Sequence, residues 1–120
     1  MKNYLKQTDP TNIPTGSTKL IEEHFGNASL KYEQCSIARM EAPPGWKEPF
    51  QNPEFDEFTL VAKGQMLVKI DGQKEVVKAG QTILVKRGAR VQYSNPFDRH
   101  SEYWSVCLPP FSLATVHREK

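Results

Sequence analysis

The sequence predicts an all-β fold, an antiparallel sandwich or small barrel that follows an extended N-terminal arm. Three observations support this fold class. Apolar and polar residues alternate with a period of two over several short runs, which is typical of strands with one buried face. Glycine, proline and asparagine separate these runs at short spacing. The chain has 120 residues, of which 38% are hydrophobic, enough for one modest core and one domain.

The charge balance and the apolar runs exclude several classes of partner. Sixteen Lys and Arg face fourteen Asp and Glu, and a net charge of +2 is too small to predict binding to nucleic acid. Because no apolar run is long enough for a membrane anchor or a signal peptide, we expect a cytoplasmic protein without membrane contact. Cys35 and Cys107 form no CxxC pair, so free thiols are expected, with a disulfide as the minor alternative.

Residues 1–17 differ in composition from the rest of the chain. They are polar and contain Pro10, Pro14 and Gly16, which disfavour a helix. We therefore predict an arm over residues 1–17 and a single domain over residues 18–120. Thr18–Phe25 is the only segment with a convincing 3.6-residue period.

The remaining elements are predicted as strands. Residues 65–70 alternate between apolar and other side chains, and Asp71-Gly72 predicts a tight hairpin into Gln73–Lys78, because this dipeptide tolerates positive φ. Further strands are predicted over Ala28–Glu33, Cys35–Glu41, Phe58–Ala62, Thr82–Lys86, Arg90–Tyr93 and Tyr103–Leu108.

A spaced set of residues identifies the fold more closely. Five residues separate Gly45 from Gln51; Pro53 follows two positions later, Glu57 after three intervening residues and Gly64 after six more. This spacing resembles the first motif of the cupins, in which His, His and Glu stand at the positions of Gln51, Pro53 and Glu57.

The second cupin motif is present in outline. Gly80, Gly88 and Asn95 are in place, whereas Lys86 stands where proline is usual and Val91 where the last histidine is usual. The resemblance implies a double-stranded β-helix, that is, a jelly-roll barrel.

The resemblance covers about Leu30 to Leu108, and fifteen residues separate Gly64 from Gly80, as in compact microbial cupins. The stretches FDEFTLVAKGQMLVKIDG, VVKAGQTILVKRGARVQYSNP and EYWSVCLPPF resemble single-domain cupins related to the ethanolamine-utilisation cupin. That group also replaces the metal-binding histidines and implies no single activity.

The departures from the cupin motifs remove the residues that normally bind a metal in this family. Imidazole nitrogens supply much of a cupin's affinity for Fe, Mn, Ni or Zn, and all three are missing here. Gln51 is a weak neutral donor, and Pro53 and Val91 have no ligating side chain. Glu57 alone does not hold a transition metal, so we predict no metal and no other cofactor.

Alternation predicts which side chains line the barrel. If positions 51, 57 and 91 face inward, as the resemblance implies, Thr59 and Tyr93 also face inward. The apolar face of the last predicted strand, with Trp104 and Val106, is expected to face inward, and Glu102 shares its parity. Candidate catalytic residues are therefore Glu57, Tyr93 and Glu102, and candidate ligand-binding residues are Gln51, Thr59, Val91 and Trp104.

Structural roles are the alternatives for these residues. Glu57 can pair with Arg39 and merely close the barrel, and Glu102 can be exposed beside a loop. Tyr93 and Trp104 are often simple core or rim aromatics. The three histidines, His24, His100 and His117, are expected on the surface, with delivery of His117 to the barrel mouth as the lesser alternative.

Three functions remain open. The first is a small-molecule-binding cupin without the usual metal. The second is a metal-independent isomerase, epimerase or lyase acting on a small carbohydrate or carboxylic acid, since two buried carboxylates raise each other's proton affinity. The third is a non-catalytic dimeric scaffold, favoured if Met40, Val61, Val68 and Trp104 fill the barrel. In each case we expect a homodimer that buries sheet edges or the arm.

Overall fold

A computed structural model describes residues 2–120. Within this range the chain forms nine strands and one short helix. The strands are β1 (Thr11–Asn12), β2 (Leu20–Phe25), β3 (Ser36–Ala42), β4 (Asp56–Lys63), β5 (Gln65–Ile70), β6 (Gln73–Lys78), β7 (Thr82–Val85), β8 (Val91–Ser94) and β9 (Ser101–Leu108), and the helix is α1 (Leu113–Val116).

The strands form two antiparallel sheets. The larger sheet has the order β1-β2-β3-β9-β4-β7, and the smaller sheet has the order β6-β5-β8. Strands distant in sequence are neighbours, because β9 lies between β3 and β4. Pairing of this kind across two facing sheets is the jelly-roll arrangement. The predicted all-β barrel is therefore confirmed.

Inward-facing side chains of both sheets form the core. Val61 and Tyr103 of the larger sheet pack with Met66, Val68 and Tyr93 of the smaller one. A second cluster contains Phe55, Cys107 and Val116, with Phe111 packed against it. Alternation along the strands places these apolar side chains on the inner face of each sheet. Their burial between the sheets holds the two sheets together.

The predicted hairpin after β5 is present. Asp71 and Gly72 have φ values of +48° and +84°, a backbone conformation that glycine adopts freely and aspartate more readily than most residues. β5 and β6 then pair in register from Gln65 opposite Lys78 to Ile70 opposite Gln73. Cys35 and Cys107 are free thiols, as expected.

The segment with the helical period is a strand. β2 pairs with β3 on one side and with β1 of the arm on the other. Ile21 and Glu23 face the barrel interior, whereas Glu22 faces outward, where it binds Arg39. Hydrogen bonding to a strand on each side therefore decides the structure of this segment, in spite of the helical period of its sequence.

The predicted strand over residues 28–33 is wrong. Leu30 and Lys31 have positive φ values of 55° and 46°, and the segment forms turns. The Glu23 carboxylate accepts a hydrogen bond from Ala28 N at 2.9 Å, and Ser29 Oγ donates to the Glu23 carbonyl at 2.9 Å. These bonds to β2 fold the segment back instead of extending it.

Helix α1 was not predicted. It is a single turn, and Ser112 caps it by accepting a hydrogen bond from Ala114 N at 3.1 Å. Among residues 2–120, no helix has the length and apolar character needed to cross a membrane.

The outer face of the larger sheet is partly apolar. Phe58, Leu60 and Leu84 are each more than 40% exposed, and they lie side by side because Phe58 pairs with Leu84 across β4 and β7. We call these three residues the outer patch. An apolar side of a strand in this sheet can therefore face outward.

Gly64 between β4 and β5 provides a test of the fold. Its φ is +74°, and a Cβ at this position would lie 2.7 Å from the carbonyl oxygen of His100. We expect Gly64→Ala to lower the free energy of unfolding by about 3 kcal/mol, through positive φ and the clash together. Urea unfolding followed by circular dichroism measures this loss.

Gly72→Ala is the matched control. Gly72 has a similar φ of +84°, but no atom lies within 4 Å of its would-be Cβ. Only the backbone cost of about 1 kcal/mol is expected there. Equal losses in the two variants would contradict the proposed close approach at Gly64.

Candidate functional site

A cavity of about 340 Å³ lies within the barrel. Aromatic and aliphatic side chains form much of its wall, and its polar lining includes Lys19, Glu48, Gln51, Glu57, Tyr93 and Ser105. At the mouth, Asn27 Nδ2 donates to the Phe111 carbonyl at 3.0 Å, so the turn after β2 is joined to the C-terminal segment. A mostly apolar concave site with a few polar groups is typical of small-ligand pockets.

Glu57 is held on the inner face of β4. The register between β4 and β9 places Ser105 nearby, and Ser105 Oγ donates a short hydrogen bond to Glu57 Oε2. Burial raises the pKa of Glu57, although the bond from Ser105 favours the charged form. The carboxyl group is therefore suited to exchange protons within the cavity.

Tyr93 faces Glu57 from the opposite sheet. It lies on β8, which pairs with β5. Burial, followed by the charge of Glu57, raises the pKa of Tyr93 well above its usual range. The phenol consequently remains a hydrogen-bond donor at neutral pH.

Several buried polar atoms lack a partner within the described part of the chain. They are Gln51 Oε1, Thr59 Oγ1, Tyr93 Oη and Tyr103 Oη. Leaving a buried polar group unpaired costs about 1–3 kcal/mol, so groups of this kind require water or a ligand. Gln51, Tyr93 and Tyr103 line the cavity, which makes its wall able to bind a polar molecule.

Lys19 and Glu48 complete the cavity, and neither was predicted from the sequence. Lys19 Nζ lies 4.2 Å from the ring centroid of Trp46 and 5.3 Å from that of Tyr103. Burial lowers the pKa of the Lys19 ammonium, although the carboxylates of Glu48 and Glu57 oppose this shift. A desolvated lysine and two carboxyl groups therefore share one space.

Glu48 lies in the loop between β3 and β4. Its N–H donates to the Tyr93 carbonyl at 3.3 Å, and its carbonyl accepts from Gln92 Nε2 at 2.9 Å. Burial raises the pKa of its carboxyl group to about 7, with Lys19 opposing the shift. Near neutral pH this group is present in both protonation states.

The sequence held a usable signal for Lys19 but none for Glu48. Had residues 20–25 been assigned as a strand, alternation from Ile21 would have placed Lys19 on the inner face. Glu48 lies in a proline-rich loop, where no periodicity applies.

Two predicted site residues, Glu102 and Trp104, lie outside the cavity. The inner face of β9 carries Tyr103, Ser105 and Cys107, so the prediction that Glu102 and Trp104 face inward is wrong. The apolar side of β9 was misleading because the outer face of this sheet is itself partly apolar.

On that outer face both residues have structural partners. Glu102 accepts a hydrogen bond from Arg39 at 3.1 Å, and Arg39 also binds Glu22 and Glu41. Trp104 stacks with His24, with ring centroids 5.0 Å apart. Arg39 therefore pairs with Glu102 and not with Glu57.

The other predicted residues occupy the interior. Gln51 lines the cavity beside Glu57 and Tyr93. Thr59 and Val91 are fully buried, but Val91 packs in the main core. Thr59 lies close enough to Tyr93 to lower its pKa slightly. The structure thus brings Gln51, Glu57 and Tyr93 together in the cavity and leaves Val91 as a packing residue.

The residues at the usual metal position do not fit a transition metal. Gln51 has a buried, unpaired amide oxygen, and Pro53 and Val91 offer no side-chain donor. Within residues 2–120, no three His, Cys, Asp or Glu side chains are grouped to hold a metal. The ammonium of Lys19 also lies in the same cavity, which disfavours a further cation.

The histidines lie away from this cavity. His100 Nε2 lies 2.7 Å from Glu41 Oε1, and His117 Nε2 lies 2.5 Å from Glu54 Oε2. Both histidines are exposed, and neither lines the cavity. They therefore do not replace the missing imidazoles.

Comparison with known proteins assigns the family. The family model described as a cupin domain matches residues 38–107, more than half of the chain. The chain belongs to the cupins. The resemblance inferred from the two motifs is thereby confirmed.

Solved cupin structures share the fold at low sequence identity. The polyketide cyclase RemF from Streptomyces resistomycificus aligns with a TM-score of 0.76 and 15% identity, over 100% of this chain and 87% of the other. The ethanolamine utilization protein Q from Salmonella typhimurium LT2 aligns with a TM-score of 0.61 and 16% identity, over 78% and 72%.

A curated relative is closer in sequence. It is named endoribonuclease YbeY, from Myxococcus xanthus strain DK1622, and is 45% identical over 107 residues. The match covers 89% of this cupin, which spans only 36% of the relative's length.

The raised pKa of Glu48 predicts a pH-dependent stability. A carboxyl group whose folded pKa of about 7 exceeds its ordinary value binds more protons when folded. Stability from this group is thus greatest below the unfolded pKa and falls as pH rises towards 8. We expect Glu48→Gln to abolish a loss on the order of 2 kcal/mol between pH 5 and pH 8, measured by urea unfolding at both values.

Glu75→Gln is the control for this experiment, because Glu75 is exposed on β6 and carries the same charge change. It should retain the pH dependence of the unmodified protein. A Glu48→Gln variant with that same dependence would contradict the assignment of Glu48 to a buried site.

Proposed function

We propose that this cupin binds a small polar organic molecule in its barrel and transfers protons on it without a metal. The reaction class is isomerisation, epimerisation or elimination, and the substrate is a small carbohydrate or carboxylic acid. The observation that carries the proposal is the meeting of Glu48, Glu57 and Tyr93, all with raised pKa values, in one cavity. Perturbed groups of this kind concentrate at functional sites.

The size and lining of the cavity support ligand binding. Its volume of about 340 Å³ lies at the lower end of the range for small-molecule sites, roughly 300–1,000 Å³. The unpaired oxygens of Gln51 and Tyr103 provide hydrogen-bonding groups for a ligand, and the hydroxyl of Tyr93 lies beside Glu57. Small hydroxylated molecules offer matching donors and acceptors.

The protonation states support proton transfer. Moving a proton next to a carbonyl group requires a base near the carbon and an acid near the oxygen. Burial raises the pKa of Glu57, and it raises the pKa of Glu48 to about 7, while Tyr93 remains a donor. We assign Glu57 as the base and Tyr93 as the oxygen donor, with Glu48 as the second acid.

The scaffold alternative receives less support. It required the barrel to be filled by four apolar side chains, but Trp104 faces outward and Met40 lines an open cavity. Val61 and Val68 fill only the main core cluster. Space for a ligand therefore remains.

Glu57→Gln separates binding from catalysis. A panel of small hydroxy acids, oxo acids and pentoses is first screened by thermal shift. For those that bind, exchange of carbon-bound hydrogen is followed by NMR in D₂O. We expect Glu57→Gln to retain binding within a few-fold and to lose exchange by about 100-fold or more, because the general base is missing.

Glu102→Gln is the matched control, since Glu102 lies on the outer face beside Arg39. It should keep the full exchange rate. Exchange that survives in Glu57→Gln but is lost in Glu102→Gln would refute the assignment of the cavity.

The relative from Myxococcus xanthus favours a second candidate function. Because a sequence 45% identical to this one forms part of a longer chain named as an endoribonuclease, we propose that this cupin associates with an endoribonuclease of that type. The outer patch of Phe58, Leu60 and Leu84 offers an apolar contact surface. The nearly neutral charge supports contact with the enzyme instead of with RNA.

Binding to a purified YbeY endoribonuclease tests this association. We expect a complex at micromolar concentration by titration calorimetry, and a loss of at least tenfold in affinity for Leu60→Asp, which places a charge in the patch. Lys63→Asp, at an exposed position near the end of the same strand, is the control. A Leu60→Asp variant that changes only self-association in light scattering would contradict the proposal.

A further inference from the structure

Lys19 lines the cavity, and the proposed proton transfer assigns it no role. Its Nζ contacts the faces of Trp46 and Tyr103, at 4.2 Å and 5.3 Å from the ring centroids. Among the described residues, no carboxylate oxygen lies within 4.0 Å of this nitrogen, although Lys63 and several arginines have such partners. Lys19 is therefore an amine in a largely apolar wall, without a direct ion pair.

Burial favours the reactive, unprotonated form of the amine, although the two aromatic faces attract its charged form. An amine attacks a carbonyl carbon only when it is unprotonated, and removal from water favours the unprotonated form. Burial is the largest influence on Lys19 and lowers its pKa. Lys19 also lines the cavity, so a molecule inside can reach it.

We infer that Lys19 forms an imine with the carbonyl group of a small aldehyde or ketone bound in this cavity. The inference rests on the proposed function and deepens it by naming the substrate class. Once its nitrogen is protonated, the resulting iminium draws electrons from the neighbouring carbon more strongly than a neutral carbonyl does, so it assists removal of a proton there. Glu57 is placed in the same cavity to take that proton.

The atoms of this step balance without an oxidant or reductant. The lone pair of Lys19 Nζ forms a bond to the carbonyl carbon, the carbonyl oxygen takes up a proton and the nitrogen releases one, which gives a neutral carbinolamine. A second proton converts the hydroxyl into water, which leaves as the carbon–nitrogen double bond forms. The iminium that results gives up its nitrogen proton to become the imine. Amine and carbonyl thus give imine and water.

Glu48 is suited to supply and recover these protons. Its carboxyl group has a pKa of about 7 and lies near enough to Lys19 for their charges to interact. A group that is present in both protonation states donates to the departing hydroxyl and accepts from the nitrogen with equal ease. Glu48 therefore acts in imine formation, and Glu57 in the step that follows.

The cavity limits which carbonyl compounds fit. Its volume of about 340 Å³ admits a small molecule. The apolar side chains of Ile21, Met40 and Phe55 would contact the carbon skeleton, and the hydroxyl of Tyr103 is free to bind an oxygen substituent. Short hydroxyaldehydes and hydroxyketones match this pattern.

Trapping by glycolaldehyde and cyanoborohydride tests the inference. Any imine is reduced by hydride addition at carbon, which leaves a stable secondary amine on the lysine. The intact protein is labelled at pH 7 with limiting glycolaldehyde, and the sites are quantified by peptide mass spectrometry. Lys47 is the internal control, because it is an exposed lysine in the loop that also carries Glu48.

We expect Lys19 to be labelled about tenfold faster than Lys47. Lys19→Arg keeps the positive charge but cannot form the imine, so it should lose this fast phase and retain the circular dichroism spectrum. Because the Lys19-to-Lys47 ratio is measured within one protein, the test does not depend on the folding of the variant. Labelling of Lys19 at or below the rate of Lys47 would overturn the inference.

This outcome is distinguishable from failure of the proposed function. If Lys19 does not react but ligand binding and Glu57-dependent exchange persist, proton transfer proceeds without an imine. If Lys19 reacts but exchange does not depend on Glu57, the imine stands and the assignment of the base fails.

Discussion

Burial of ionisable groups inside a small barrel is the constraint on which this structure depends. Glu48, Glu57 and Lys19 face a space walled mainly by aromatic and aliphatic side chains. Removing a charge from water costs free energy, and a small domain has little stability to spare. Beside the cavity, the two sheets pack together in an apolar core of valines, Met66 and tyrosines. Burial of this core offsets the cost.

The strand register turns this constraint into a defined geometry. β9 inserts between β3 and β4, so Ser105 of β9 reaches Glu57 of β4. The opposite sheet brings Tyr93 towards the same carboxyl group. The acid, the base and the amine therefore come from segments far apart in sequence; main-chain hydrogen bonds hold Glu48 and Glu57, and the side chains of Thr15 and Ser17 bind the main chain of Lys19.

The fold was predictable because its signals are local and repeated. Alternation, the Asp71-Gly72 hairpin and the glycines of the two motifs each agree with the final topology. The candidate site was predictable where a residue stood on a strand of known parity, as for Glu57 and Tyr93, or where the spacing of the cupin motif placed it, as for Gln51.

The rest of the site depended on information that sequence alone does not hold. Parity along β9 was ambiguous because both of its faces carry apolar residues, so Trp104 was placed on the wrong side. Glu48 reaches the cavity from an irregular loop, and Lys19 lies immediately before β2, a strand whose spacing also suits a helix. Tertiary pairing decided both positions.

Gln51 shows how the reactive centre of such a barrel can change. Its main chain exchanges two hydrogen bonds of 2.9 Å with Val91 and also bridges to Arg118, so three segments meet there through backbone atoms alone. These backbone bonds do not depend on which side chains the two positions carry. Side chains at this point of the barrel wall can therefore change while the pairing that holds the three segments together stays the same.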